Sequence, residues 1–217
     1  MDSCCSPATV SSGTNKFFSR WSKRYAKNFR KKGVERTQQY LLDGVRRVPI
    51  EGQEILDIGC GVGALHLTLL KQGAVRSIGV EVSEGMIQEA QQLASELGLR
   101  DKTSYILGDF VDLAHLLPES DITLLDKVVC CYEHLDLLIE KSAAKTKRIY
   151  ALSHPKDNVP MRVIFKTQIA LARVFQWSFR PFWHDWARMK SQILSRGFSL
   201  LHEDSTIAWQ VLVFRRV

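Results

Sequence analysis

Three carboxylates stand at the ends of successive short apolar runs. Asp57 lies in Ile55-Leu-Asp-Ile58, Glu81 follows Ser77-Ile-Gly-Val80, and Asp109 follows Tyr105-Ile-Leu-Gly108. Runs of this length, bounded by turn residues, read as buried strands. The first breaks at once into Gly59-Cys60-Gly61-Val62-Gly63, and an amphipathic pattern runs from Ala64 to Lys71. Glycine tolerates the tight backbone that lets a main chain approach a bound molecule closely. Strand, glycine turn and helix form a cofactor-binding layout, and an acid ending the second strand can accept hydrogen bonds from both hydroxyls of a ribose. A phosphate-cradling turn fits less well: Ala64, Leu65 and His66 follow Gly63, so the third glycine of that motif is missing.

The elements that would position these acids follow from periodicity. Strands are expected at 53–58, 76–81, 103–108, 121–126 and 147–153, alternating with helices at 64–72, 84–97 and 134–144. Such alternation argues a parallel sheet covered on both faces. Strands at 198–203 and 207–214 close the chain as a hairpin. The expected fold is α/β, a Rossmann-like, doubly wound, seven-stranded mixed sheet. Its 217 residues suffice for one well-filled core. Residues 1–13 are small and polar and read as a disordered tail, 14–48 as an N-terminal helical lid, and 49–217 as the main domain with a bulky apolar insert at 158–186. Within that insert a helix breaks at Arg180-Pro181 and resumes at about Trp183.

Three acids at three successive strand ends, behind that glycine turn, resemble the site of class I methyltransferases dependent on S-adenosylmethionine (SAM). The resemblance covers about residues 50–153 and implies which residues contact the cofactor: Asp57, Gly59, Cys60, Gly61, Gly63, Glu81, Val82, Met86, Asp109 and Phe110. Asp57 then lies near the methionine part, Glu81 on the ribose, and Asp109 near the adenine with Met86 as an apolar neighbour. Outside this span the order of segments is loosely similar to magnesium-protoporphyrin O-methyltransferases. Phe17-Phe18 with Trp21 and Tyr25 stand for their lid, and Arg180-Pro-Phe-Trp-His184 precedes the closing hairpin. Their His-Tyr-Pro stretch is replaced here by Cys131-Tyr132-Glu133.

Ligands of open α/β sheets sit beyond the carboxyl ends of the strands. The methyl group is therefore faced by Leu125-Asp126-Lys127-Val-Val-Cys130-Cys131-Tyr132-Glu133-His134 and by Ser153-His154-Pro155. Tyr132, His134 and His154 are the catalytic candidates; each histidine taken singly reads more readily as structural, and it is their pairing at two strand ends that makes them candidates. A phenol or alcohol acceptor gains from a base such as His. A carboxylate is already ionised and needs only a cation to position it. The expected reaction is methylation of a small, largely apolar molecule on oxygen. Two alternatives stay open. Cys130-Cys131, with Cys4-Cys5 on a flexible arm, would suit a soft acceptor such as trivalent arsenic, or be small buried thiols. A non-catalytic SAM-binding protein at a membrane surface is the other. No resident metal is assigned.

The net charge is +7, yet residues 16–32 alone carry eight cations and no acid. In the same segment Phe18, Trp21, Tyr25 and Phe29 recur at three- and four-residue steps as one aromatic stripe of a helix. A lid over the cofactor is the favoured reading, contact with an anionic membrane surface the second. Nucleic-acid binding is disfavoured, because no RNA-binding module is visible. No apolar run reaches the roughly 18 residues of a membrane span, and the first residues lack the apolar core of a signal peptide. A cytoplasmic location is expected, with peripheral membrane association as its variant.

Overall fold

The computed structural model describes residues 7–175 and 179–217, with side chains from Asn15 onward. Seven strands form one sheet in the order β3-β2-β1-β4-β5-β7-β6. They are β1 (Glu54–Ile58), β2 (Arg76–Glu81), β3 (Thr103–Leu107), β4 (Ser120–Leu125), β5 (Thr146–Pro155), β6 (Phe198–Ser205) and β7 (Trp209–Arg216). The first five run parallel, while β7 is antiparallel to both β5 and β6. The expected seven-stranded mixed sheet is therefore the observed one.

The helices are α1 (Pro7–Lys32), α2 (Arg36–Val45), α3 (Ala64–Lys71), α4 (Glu84–Glu96), α5 (Phe110–Leu113), α6 (Leu135–Ala144), α7 (Val159–Val174) and α8 (Trp186–Leu194). Two apolar layers sandwich the sheet. Leu56, Ile58, Leu125, Tyr150 and Phe214 face α6 and α8, whereas Ile55, Ile122, Leu124, Ile149 and Val213 face α2, α3 and α4. Burial on both faces explains why these strands read as continuous apolar runs.

Three sequence expectations need correction. Residues 7–13, read as part of a disordered tail, are the first turns of α1. Residues 1–6 of that tail lie outside the described residues, Cys4 and Cys5 among them. The last helix starts at Trp186, not Trp183, because the Asp185 carboxylate caps it by accepting from Arg188 N–H. The aromatic stripe of α1 also divides. Phe18 and Phe29 pack on the core, whereas Phe17, Trp21 and Tyr25 are exposed.

Small residues make the close contact instead. Ser22 and Ala26 of α1 are buried, and a Cβ at Gly85, in the first turn of α4, would stand 2.9 Å from Ser19 Cβ. Ser19 Oγ accepts from Gly85 N–H at 3.1 Å, and Asn15 Oδ1 accepts from Glu84 N–H at 3.2 Å. Side chains of α1 thus satisfy backbone donors at the start of α4 that no helical carbonyl can reach. At the other end Arg30 forks onto Glu96 at 2.8 and 2.9 Å.

Candidate functional site

The carboxyl ends of β1, β2, β3 and β4 lie along one edge, and the chain order reverses between β1 and β4, the usual place for a ligand in such sheets. The turn after β1 is built on left-handed backbone at Gly59, Gly61 and Gly63, with φ of 63°, 54° and 83°. They are not equivalent. A Cβ at Gly63 would meet the His66 ring at 2.8 Å, and one at Gly59 would meet Val128 at 2.5 Å, whereas one at Gly61 meets nothing within 4 Å. Gly61 is thus the position whose face is open. Cys60 turns the other way: a Cβ on Gly79 of β2 would stand 2.7 Å from its Sγ.

Glu81 closes this turn. Its carboxylate accepts from Gly61 N–H at 2.9 Å through one oxygen and from Ser83 N–H at 2.9 Å through the other. Burial raises its pKa, and the backbone donors of Gly61, Ser83 and Val82 oppose that rise. Two ionised oxygens offer about four acceptor positions, so two stay open for hydroxyl donors. Val82 is half-buried beside it, and Met86 is buried in the first turn of α4, with its N–H 3.3 Å from Ser83 Oγ.

Asp57 sits beneath the turn, only 2% exposed. It accepts from His66 Nδ1 at 2.8 Å, and His66 Nε2 lies 3.0 Å from the Tyr105 hydroxyl. This buried chain links β1, α3 and β3 under the glycines. Asp109, beyond β3, caps α5 by accepting from Val111 N–H at 2.8 Å, with Phe110 buried next to it. The same oxygen accepts from the Tyr132 hydroxyl at 3.1 Å. Burial raises the pKa of both Asp109 and Tyr132.

Of the three catalytic candidates, only Tyr132 is thus brought onto an acid of the cofactor set. His134 is exposed at the N-cap of α6. His154 is 5% exposed, with its ring stacked on Trp186 at 4.8 Å, and burial lowers its pKa.

A further group of interacting residues at the β4 end escaped sequence reasoning. Asp126 accepts from Ser153 Oγ at 2.6 Å and from Gln38 Nε2 of α2 at 3.1 Å, and burial pushes its pKa up to about 6. Lys127, in left-handed backbone with φ 60°, pairs with Glu35 and lies 5.3 Å over the Trp209 ring. Burial lowers its pKa to about 8. The only available signal was the position of Asp126 at a strand end, because Gln38 is 88 residues away in sequence.

Above this edge stands α1. Its Phe17, Phe18, Trp21, Arg24, Tyr25 and Asn28 line a cavity of about 390 Å³. Burial and the nearby Cys131 and Asp126 raise the pKa of the Tyr25 phenol, so that side chain faces the β4 loop. In the same loop Cys130 Sγ and Cys131 Sγ are 3.9 Å apart.

The family described as Methyltransferase domain matches residues 55–156. Those residues, just under half of the chain, are similar to a methyltransferase domain. Ajmaline N-methyltransferase from Rauvolfia serpentina is 32% identical over 83 residues, 38% of this chain and 28% of that protein. Ribosomal protein L11 methyltransferase from Enterobacter sp. (strain 638) is 30% identical over 82 residues, 37% of this chain and 28% of that protein. The chain thus matches little more than a quarter of the length of these curated relatives. Among solved structures, magnesium protoporphyrin IX methyltransferase from Synechocystis PCC 6803 with bound SAM aligns with a TM-score of 0.72 at 21% identity, covering 100% of both chains. That likeness is one of fold. S-adenosylmethionine is the cofactor of this domain class, and the open face of Gly61 beside the buried Glu81 carboxylate fits it.

Proposed function

We propose that the protein transfers a methyl group from SAM to an oxygen of a small, largely apolar acceptor. The observation that carries this reading is the cavity along α1, lined by four aromatic side chains and one guanidinium, with Tyr25 facing the β4 loop. Apolar walls with one placed charge describe a site for an aromatic anion. Bound SAM supplies an electrophilic methyl on a sulfonium. The acceptor oxygen forms the new C–O bond, and the sulfur keeps the electrons of the broken C–S bond.

Such a displacement needs alignment more than proton transfer. Glu81 and the glycine turn fix the nucleoside. Arg24 and the α1 aromatics hold the acceptor from above. For a phenol, we assign the proton to Asp126, which lies near Tyr25 of the cavity and whose raised pKa makes it a stronger base than an ordinary carboxylate. His134 and His154 remain proposals of lesser support, as neither touches the acid set or the cavity lining described above.

The test is formation of S-adenosylhomocysteine with a panel of aromatic carboxylates, phenols and amines. Turnover on the carboxylates, with KM raised at least about tenfold by Arg24→Ala, is expected for a lost charge-assisted contact. Turnover confined to amines would overturn the oxygen assignment. The Cys130–Cys131 pair favours a second reading, capture of a soft metalloid. Its test is arsenite as acceptor: loss of that activity in Cys130→Ser/Cys131→Ser would support it, and full retention would refute it.

A further inference from the structure

We infer that α1 and α7 form one docking surface for an anionic lipid bilayer. Of the 30 cations in the chain, twelve lie in residues 16–32 and 158–184, and none of the 23 acids does. The remainder carries 18 cations against 23 acids. The molecule is therefore strongly polarised although its net charge is only +7. The two segments also meet: Phe179, following α7, stacks on Phe17 of α1 at 5.0 Å and meets Phe18 edge-on at 5.2 Å.

The arrangement on α7 separates a bilayer from other polyanions. At about 100° per residue, Val159, Val163, Val174, Leu171 and Ile164 fall within an arc of about 140°. All five are exposed, Val159 and Val174 by 74% each. Lys166 and Arg173 fall together on one flank of that arc, next to Arg162, which pairs with Asp157 at 2.7 Å, and the buried Phe165 and Ala172 lie on the far side, toward the domain. A helix with an outward aliphatic face, flanking cations and an inward anchoring face is built to lie in a membrane interface. Nucleic acid would use the cations, but branched aliphatics find nothing to bury against a phosphate backbone. No helix among the described residues is long and apolar enough to cross a membrane, so the contact is peripheral.

On α1 the exposed Lys16, Arg20, Lys23 and Lys27 lie on one side of the helix, next to the aromatic face that lines the cavity. Docking would thus set the cavity mouth against lipid. The inference does not rest on the proposed reaction, and it holds or fails by binding alone.

The experiment is flotation of the full chain with vesicles of phosphatidylcholine, alone or with about one third phosphatidylserine. Binding to the anionic vesicles only, weakened at high salt, is expected. Two variants separate the contributions. Val163→Gln/Ile164→Gln/Val174→Gln keeps every charge and should lose at least about tenfold in affinity, as apolar area leaves the interface. Lys16→Gln/Arg20→Gln/Lys23→Gln should lose a similar factor and show a weaker salt dependence. Unchanged melting of both variants excludes misfolding as the cause. No flotation with anionic vesicles, wild-type affinity in the aliphatic variant, or tighter binding to a single-stranded polynucleotide than to vesicles would each overturn the inference.

Discussion

Glu81 shows how one side chain serves fold and site together. Its two oxygens hold the glycine turn against the start of α4, beside the open face of Gly61, with acceptor capacity to spare. Glu81→Gln keeps the shape but puts an amide donor against a backbone N–H. Leaving a buried donor without its acceptor costs about 1–3 kcal/mol, so SAM affinity should fall roughly 5- to 150-fold. Calorimetric titration of wild type and variant checks this, and equal affinities would remove Glu81 from the ribose assignment. Asp126 offers a pH test. Its folded pKa of about 6 lies above the unfolded value of about 3.9. The folded state therefore holds the proton more tightly, and this group's contribution is largest below about pH 4. It declines as pH rises toward 6, by up to roughly 3 kcal/mol. Urea unfolding from pH 4 to 8 should show wild type losing stability relative to Asp126→Asn across that window. A constant difference would show that Asp126 ionises normally. The acids of the first three strand ends were legible in the sequence because each follows its own short apolar run. The Asp126 network was not, because its partners come from α2 and β5 and meet only in three dimensions.

At the scale of elements, the docking of α1 on α4 carries the most information. Periodicity finds a helix from its apolar residues, and it found this one, but it did not register the small-residue face that makes the close contact. Phe18, Trp21, Tyr25 and Phe29 look like one stripe, yet the close contact with Gly85 is made by Ser19, and Ser22 and Ala26 are the residues buried on that side of the helix. Small residues are selected there by backbone proximity, which a hydrophobicity pattern does not register. Gly85→Val should therefore lever α1 away, since its Cβ would also stand 3.0 Å from the Ser19 Cα, a backbone atom that cannot yield by rotating a side chain. The eight cations of residues 16–32 make trypsin a direct reporter. Cleavage in that segment should speed up at least about tenfold, as expected when a docked segment opens locally, while residues 54–217 persist as a resistant fragment. Equal cleavage rates would mean that the contact with α4 does not hold α1.

For the whole molecule, the sheet owes its closure to β7, which enters between β5 and β6 against the direction of the parallel strands. Its Val211, Leu212, Val213 and Phe214 are all within 2% of complete burial, alternating between the two apolar layers. It also covers the edge of β5 over seven register positions, from Ile149 to Pro155. Four such side chains represent about 6–12 kcal/mol of apolar burial at roughly 1.5–3 kcal/mol each, comparable to the 5–15 kcal/mol by which an ordinary domain is stable. A chain ending at Ala208 should consequently lose cooperative unfolding and expose an unpaired strand edge. The opposite truncation behaves differently. Among their described side chains, residues 1–33 bury Ser22 and Ala26, with Asn15, Phe18, Ser19 and Phe29 covered in part; the apolar share amounts to about 2–5 kcal/mol on the same scale. A chain starting at Val34 should keep a single cooperative melt, shifted downward, and retain the glycine turn, Glu81 and Asp109. It should lose the aromatic cavity and with it the acceptor. Near-ultraviolet circular dichroism on heating distinguishes the two, and cooperative melting of the chain ending at Ala208 would show that the parallel core stands without its closing hairpin.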